Sequence, residues 1–313
     1  MAEHQPIDVE IIPIDNDDSS SSSQVSSFTA SLSDSAVDYP IEYGRRYNAF
    51  RAGTYPFPND ELELQRLDLT HEMMIRGTEG KLFHSPLDPA KTKRILDIGT
   101  GTGIWAMVMA EKSPDAQVLG NDLSAVQPTW VPPNLKFEID DVESPWLHEK
   151  PFDFIFCRYM CACIADWPKL VGSIHAGLRP GAWAEFQDFD LEYYSDDGSL
   201  WEEHDVMVWD RLFLGAANKT GREVSPGPRL EGWVRDAGFQ GVVHKRFKFP
   251  IGPWPRDPIE NGLEAFTLRL FTGMLGWQPE DVKVLLTKVR ADLRDKRIHS
   301  YVNFHVVYGQ KAE

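Results

Sequence analysis

Cysteine is scarce in this 313-residue chain: Cys157, Cys161 and Cys163 are the only three, and they fall within seven residues. An odd, crowded set makes a poor disulfide framework, which predicts a reducing compartment. The spacing also lacks a fourth ligand for zinc, so the three thiols read as small core residues and no metal site is expected. Basic residues are in deficit, 32 Lys+Arg against 48 Asp+Glu, leaving a formal charge of −16. That balance argues against a nucleic-acid backbone or an anionic membrane as the main partner. No run approaches 18 uninterrupted apolar residues, and Met1 to Glu10 has neither a basic nor an apolar stretch; neither a membrane span nor a secretory leader is expected. Three catalytic signatures are missing too. His71-Glu72-Met73-Met74-Ile75 is no H-E-x-x-H, and neither G-x-S-x-G nor a P-loop occurs. Small molecules, cofactors and proteins remain as partners.

Residues 1–38 hold ten serines and eight acids but no Lys or Arg. Such a stretch cannot bury enough apolar surface to offset its chain entropy, so it reads as a disordered, solvated tail. Order is expected from residue 39 to the end as one domain, with its core sheet over about 93–190 and a helical insertion and final strands over 191–311. Asp60 and Glu63 have capping-box spacing, and Leu64, Leu67, His71 and Met74 recur at helical intervals, which predicts a helix with His71 on or beside its buried stripe.

From Lys93 short apolar runs alternate with helical segments: 95–98, 117–120, 135–139, 152–157 and 182–186. Five strands with helical crossovers imply an α/β fold with a parallel, doubly wound sheet. Further helices are expected over 200–217, 230–237, 259–275 and 279–295, with strands over 241–249 and 301–308.

The strongest motif is Ile95-Leu96-Asp97-Ile98-Gly99-Thr100-Gly101-Thr102-Gly103-Ile104-Trp105, a strand entering a glycine-rich turn and then a helix. Glycines permit positive φ and let a ligand pack on bare backbone, facing the free N–H groups of the helix start. Two ligands fit. Gly101 to Ala106 matches the dinucleotide fingerprint, with Asp122 placed for a ribose. Against it stands Asp97, a carboxylate that would sit beside an anionic pyrophosphate. S-adenosylmethionine carries a sulfonium and an ammonium and no phosphate, so it suits Asp97 better. Asp122 would then take the ribose hydroxyls and Asp141 an adenine amino group, all three acids lying at carboxyl ends of parallel strands.

These residues, with strands ending at Cys157 and Gln187, resemble the ordered motif series of the class I S-adenosylmethionine-dependent methyltransferases. Gly44-Arg45-Arg46-Tyr47, Tyr55-Pro56-Phe57-Pro58-Asn59-Asp60-Glu61, Arg66-Leu67-Asp68 and Val306-Val307-Tyr308-Gly309-Gln310-Lys311 further resemble the fungal LaeA-like methyltransferases. The resemblance implies a Rossmann-like sheet of seven strands in the order 3-2-1-4-5-7-6, the last antiparallel, with helical insertions. It implies that Asp97, Gly99, Thr100 and Gly101 border the methionine end of the cofactor, Asp122 and Leu123 the ribose, and Asp141 and Val142 the adenine, with Cys157 and Arg158 on its open side. The segment from Tyr43 to Arg51 is either a lid over that site or ordinary surface packing.

Methyl transfer needs positioning above all, and a base only when the nucleophile arrives protonated. Arg158, Tyr159, Glu185, Asp188 and His204 are candidates near strand ends or inserted helices, and none is assigned a catalytic role. Among Trp201, Trp209, Trp233, Trp254 and Trp277, one or two are expected to shape an aromatic substrate pocket. The expected partner is a small fungal metabolite. A LaeA-like regulator acting through protein partners is the alternative, as is, more remotely, a nicotinamide-dependent oxidoreductase. A cytoplasmic location is expected, with nuclear entry through a partner, since Lys245-Arg246-Phe247-Lys248 is too short for an import signal and reads as strand.

Overall fold

A computed structural model describes residues 37–53, 55–252 and 258–313. The serine-rich tail up to residue 36, and Trp254 with most of the proline-rich loop, lie outside the described residues. No helix among the described residues is long and apolar enough to cross a membrane.

A short hairpin, β1 (Ile41–Glu42) and β2 (Arg45–Arg46), precedes helix α1 (Glu61–Gly77). Asp60 caps that helix as its spacing predicts, accepting from the Glu63 N–H at 3.1 Å. The alternating unit follows: β3 (Arg94–Ile98), α2 (Ile104–Lys112), β4 (Gln117–Asp122), β5 (Leu135–Ile139), β6 (Phe152–Arg158), α3 (Trp167–Gly177) and β7 (Leu178–Phe189). After β7 come α4 (Asp205–Asn218), a 3-10 turn (Gly227–Arg229), α5 (Leu230–Asp236), β8 (Gln240–Ile251), α6 (Pro258–Leu275), α7 (Pro279–Arg294) and β9 (Ser300–Gln310).

The seven long strands form one sheet in the order β5-β4-β3-β6-β7-β9-β8. This is the 3-2-1-4-5-7-6 arrangement, and β9 pairs antiparallel with both β7 and β8 while the other pairs are parallel. The central strand β6 is buried along all but its last residue, as a strand covered on both faces must be. Its alternation feeds two cores. Phe154 and Phe156 pack with Trp105 of α2, whose indole stacks on Phe156 at 4.1 Å. Ile155 and Cys157 face Leu170, Val171 and Ile174 of α3. A third core lies beyond the carboxyl ends of the central strands, where α4, α6 and α7 close on Phe189, Phe249 and Phe304.

Two boundaries differ from expectation by four residues or more. The helix expected over 200–217 begins only at Asp205, because its first-turn donors are met from elsewhere: the Val206 N–H donates to Asp292 Oδ2 of α7 at 3.0 Å. The fifth strand starts at Leu178 rather than Ala182. Gly181, at φ 74°, lets the chain pass through an irregular stretch in its register with β6. Replacing Asp292 with Ala should uncap α4 and lower global stability by about 1 kcal/mol, read as the midpoint of urea unfolding; an unmoved midpoint would show that α4 is not held from α7.

Candidate active site

The glycine-rich turn is built by carboxylates. At the end of β3, Asp97 is buried and accepts from Thr100 Oγ1 at 2.6 Å. At the end of β4, Asp122 accepts the Gly101 N–H at 2.9 Å on one oxygen and the Ser124 N–H at 3.0 Å on the other. The turn therefore hangs on the neighbouring strand. Gly103, at φ 79°, starts α2 in the left-handed region, and a Cβ there would lie 2.4 Å from the Phe137 ring. Gly101, at φ 58°, has only Leu67 near a would-be Cβ, at 3.8 Å, so bare backbone faces open space. Burial raises Asp97 to about 7 against the pull of Thr100 and Arg158, and raises Asp122 to about 6 against its backbone donors.

One cavity runs over these groups. Asp97, Gly99, Thr100, Gly101, Asp122, Leu123, Asp141, Val142 and Arg158 all line it. At its far end Asp141 accepts from the Glu143 N–H and from Ser144 Oγ, both at 3.0 Å. Arg51 reaches the same carboxylate at 3.4 Å and Ser144 at 3.2 Å. Tyr39 accepts the Ala125 N–H at 3.0 Å, and Asn59 donates to Ser124 Oγ at 3.2 Å. The segment before α1 thus packs directly on the loops that follow β4 and β5.

Cys157 is the exception among the expected cofactor residues. It is 1% exposed and turned into the α3 core. Side chains alternate along a strand, so Arg158, its neighbour, takes the cavity face. The Arg158 guanidinium donates to His71 Nδ1 at 2.7 Å, which leaves the imidazole proton on Nε2. Burial and that guanidinium push His71 down to about 3, so it stays neutral; burial lowers Arg158 to about 10.

Helix α1 departs from its expected stripe. Glu63, Arg66, Thr70, His71 and Met74 are its buried residues, whereas Leu64 and Leu67 are half-buried and line the cavity. At Leu64 and Leu67 the apolar periodicity faces the cavity. Arg66 is held by Glu63 at 2.6 and 3.0 Å, reaches Tyr159 Oη at 3.2 Å, and lies 4.7 Å over the Phe266 ring. Tyr159 and Leu191, both on the cavity wall, have φ of 59° and 50°, strained backbone of the kind that accumulates at functional sites.

The other half of the cavity is aromatic. Tyr55, Phe57, Tyr193, Trp209, Phe213, Phe249 and Phe266 line it, with Asp210 among them. Of the five tryptophans weighed, Trp209 is in the wall, its indole N–H donating to Thr267 Oγ1 at 2.8 Å. Trp233 stacks on Trp167 beside α3, Trp277 packs edge-on against Phe271, Trp201 is 56% exposed, and Trp254 lies outside the described residues. Asp210 escaped the sequence reading; its one signal is an acid on the buried stripe of a helix, between Trp209 and Phe213.

Of the candidate catalytic groups, only Arg158 and Tyr159 line the cavity. Glu185 is wholly buried and accepts from the His84 and Ser85 N–H groups, Ser85 Oγ and Gln187 Nε2, all within 2.6 to 2.9 Å. Asp188 receives the Met160 N–H at 2.7 Å, fixing the loop after β6. His204 stands at the start of α4 beside exposed Trp201. Cys161 and Cys163 reach the cavity wall, and burial pushes both thiols up, keeping them protonated. Glu138, Asp140 and His148, which the sequence reading did not group, bring one ligand atom each within 4.8 Å of one another.

The methyltransferase domain profile matches residues 75–245. Methyltransferase pytC of Aspergillus terreus is 45% identical over 294 residues, covering 90% of both chains. Secondary metabolism regulator LAE1 of Cochliobolus heterostrophus is 35% identical, covering 87% of this chain and 95% of its own. Probable methyltransferase tdiE of Emericella nidulans is 32% identical over 80% of this chain and 82% of its own.

Glu185 separates a structural acid from a catalytic one. Glu185→Ala strands two backbone donors and a hydroxyl in a dry interior and should cost about 3 kcal/mol of stability, measured by urea unfolding; an unchanged midpoint would return Glu185 to the list of functional acids.

Proposed function

The chain belongs to the methyltransferase domain family and is an S-adenosylmethionine-dependent methyltransferase, and on that premise we propose that it methylates a small, largely apolar metabolite enclosed between the glycine-rich turn and the inserted helices. The observation that carries this reading is the continuity of the cavity. The acids and bare backbone of β3 and β4 share it with the aromatic wall of α4 and α6, so donor and acceptor would meet shielded from water.

The residues at the turn suit the donor. A buried carboxyl at Asp97, a half-buried one at Asp122 and the open backbone at Gly101 favour a cationic, phosphate-free ligand. In this reading Asp97 with Gly99, Thr100 and Gly101 holds the methionine end, Asp122 and Leu123 the ribose, and Asp141 and Val142 the adenine. When bound, S-adenosylmethionine supplies a methyl group on an electron-poor sulfur. The protein's share is orientation: Arg158 is steadied by His71, Arg66 by Glu63, and Tyr159 by Arg66. Arg51, on Asp141, and the hairpin before α1 cover the adenine end as a lid.

A regulatory role through protein partners is the second reading, favoured by the likeness to proteins named as regulators of secondary metabolism. The two readings part on turnover. Incubation with methyl-labelled S-adenosylmethionine and a metabolite extract of the source organism should yield a labelled small molecule; labelled protein alone, with no labelled metabolite, would favour the regulator.

Asp122→Asn keeps an acceptor oxygen for the Gly101 N–H while losing the charge. It should weaken S-adenosylhomocysteine binding by roughly ten- to a hundredfold, about 1.4 to 2.7 kcal/mol, by calorimetry; equal affinities would place the ribose elsewhere. The pH dependence follows from the same acids. Their pKa values are raised in the free fold, so they stabilise it at low pH and that contribution is lost as pH rises through about 6 and 7. A ligand ammonium and ribose favour the ionised acids, so the rise in Tm caused by S-adenosylhomocysteine should grow from pH 5.5 to pH 8. A shift that shrinks over that range would remove both acids from the site.

A further inference from the structure

The acids of the cavity wall differ in one respect. Asp97 is met by Thr100, Asp122 by Gly101 and Ser124, Asp140 by the Asp141 N–H, Asp141 by Glu143 and Ser144, and Glu143 by Arg222. Asp210 lines the same cavity, is 4% exposed, and has no hydrogen bond or ion pair among the described residues. It replaces an apolar residue on the buried stripe of α4, between Trp209 and Phe213, whose rings stack at 5.3 Å. A carboxyl held in an apolar wall with no partner of its own is poorly solvated and underbonded, which is unfavourable in either protonation state. Such a group is retained where a ligand completes it.

The cavity's own cations are committed elsewhere. Arg66 is paired with Glu63, Arg222 with Glu143, and Arg158 donates to His71. Arg211, next to Asp210 in the chain, donates to the Glu202 carbonyl at 3.0 Å.

Building on the proposed small-molecule reading, we propose that Asp210 is the group that contacts the acceptor, binding a phenolic or enolic hydroxyl of a planar substrate held among Trp209, Phe213 and Tyr193, and that it takes that proton during O-methylation. The balance is simple. The hydroxyl O–H breaks and its proton passes to the Asp210 carboxylate. The oxygen's electron pair forms the new O–CH3 bond while the C–S bond breaks, its electron pair staying on sulfur, to leave S-adenosylhomocysteine. Asp210 returns its proton to solvent when product leaves.

The electrostatics agree with this chemistry. Burial, with Glu192 and Asp190 nearby, raises Asp210 to about 8 against the opposing charge of Arg211. A phenol, at about 10, lies some two units above that and an activated enol lies nearer, so Asp210 is a much closer match than an ordinary carboxylate near 4. An acceptor that arrives as a neutral amine brings its own lone pair and needs no such group.

The test uses full-length protein, methyl-labelled S-adenosylmethionine and a metabolite extract of the source organism, with the labelled product characterised by mass spectrometry and NMR. Wild type is expected to place the label on oxygen. Asp210→Asn is expected to lower kcat/KM for that product at least a hundredfold, abolish the rise in rate between pH 6.5 and 8.5, and leave S-adenosylhomocysteine affinity within twofold. Its Tm should equal or exceed the wild-type value, since a buried unpaired acid is removed, and Asp210→Leu should behave likewise. Label on nitrogen or carbon, or an Asp210→Asn rate near wild type, would overturn the assignment of Asp210 and leave the methyltransferase reading standing. No labelled metabolite with wild type would overturn that reading itself, and Asp210 with it.

Discussion

Asp122 ties together the half of the molecule built around the glycine-rich turn. Its two oxygens accept backbone N–H groups from the turn after β3 and the turn after its own strand, so the register of a parallel pair fixes the shape of a loop. Glycine takes the φ of 58° at Gly101 without strain, and a short side chain with an acceptor oxygen at the end of β4 receives its N–H. The shape of the turn and the bare surface over Gly101 follow from that connection. Desolvation raises the Asp122 carboxyl and that of Asp97 well above the usual carboxylate range.

What the sequence made legible was the chemistry that is local along the chain. The glycine turn and its acids lie within a strand–turn–helix whose pattern is readable one residue at a time, and nine of the ten expected cofactor residues line one cavity. Cys157 fell outside because a strand alternates faces, and which face meets the ligand depends on neighbours that the pattern does not reveal. Sheet order came from resemblance, since periodicity gives strands without saying how they pair.

Helix α1 shows a different limit. Leu64 and Leu67 recur as a core stripe would, yet they line a cavity, while Glu63 and Arg66 are buried as an ion pair. Periodicity separates one helix face from another but cannot tell a packed core from a binding space. Asp210 was hidden for the opposite reason: an acid among tryptophan and phenylalanine reads as the edge of a polar face, and its isolation emerges only when α6 and the ends of β7 and β8 close around it.

The position of β9 carries a consequence for how such a protein comes to be made. It lies between β7 and β8, and β8, an edge strand, has β9 as its sole neighbour in the sheet. Until residues 300–310 emerge and insert, the strand that carries Phe249 and Ile251 has nothing to pair with. Pairings so distant in sequence form slowly. The half around the glycine-rich turn, made of adjacent strands, can therefore assemble while the chain is still being synthesised, and the aromatic half must wait for the last strand. A cell would hold, for a time, a chain shaped at one end of its cavity and unfinished at the other.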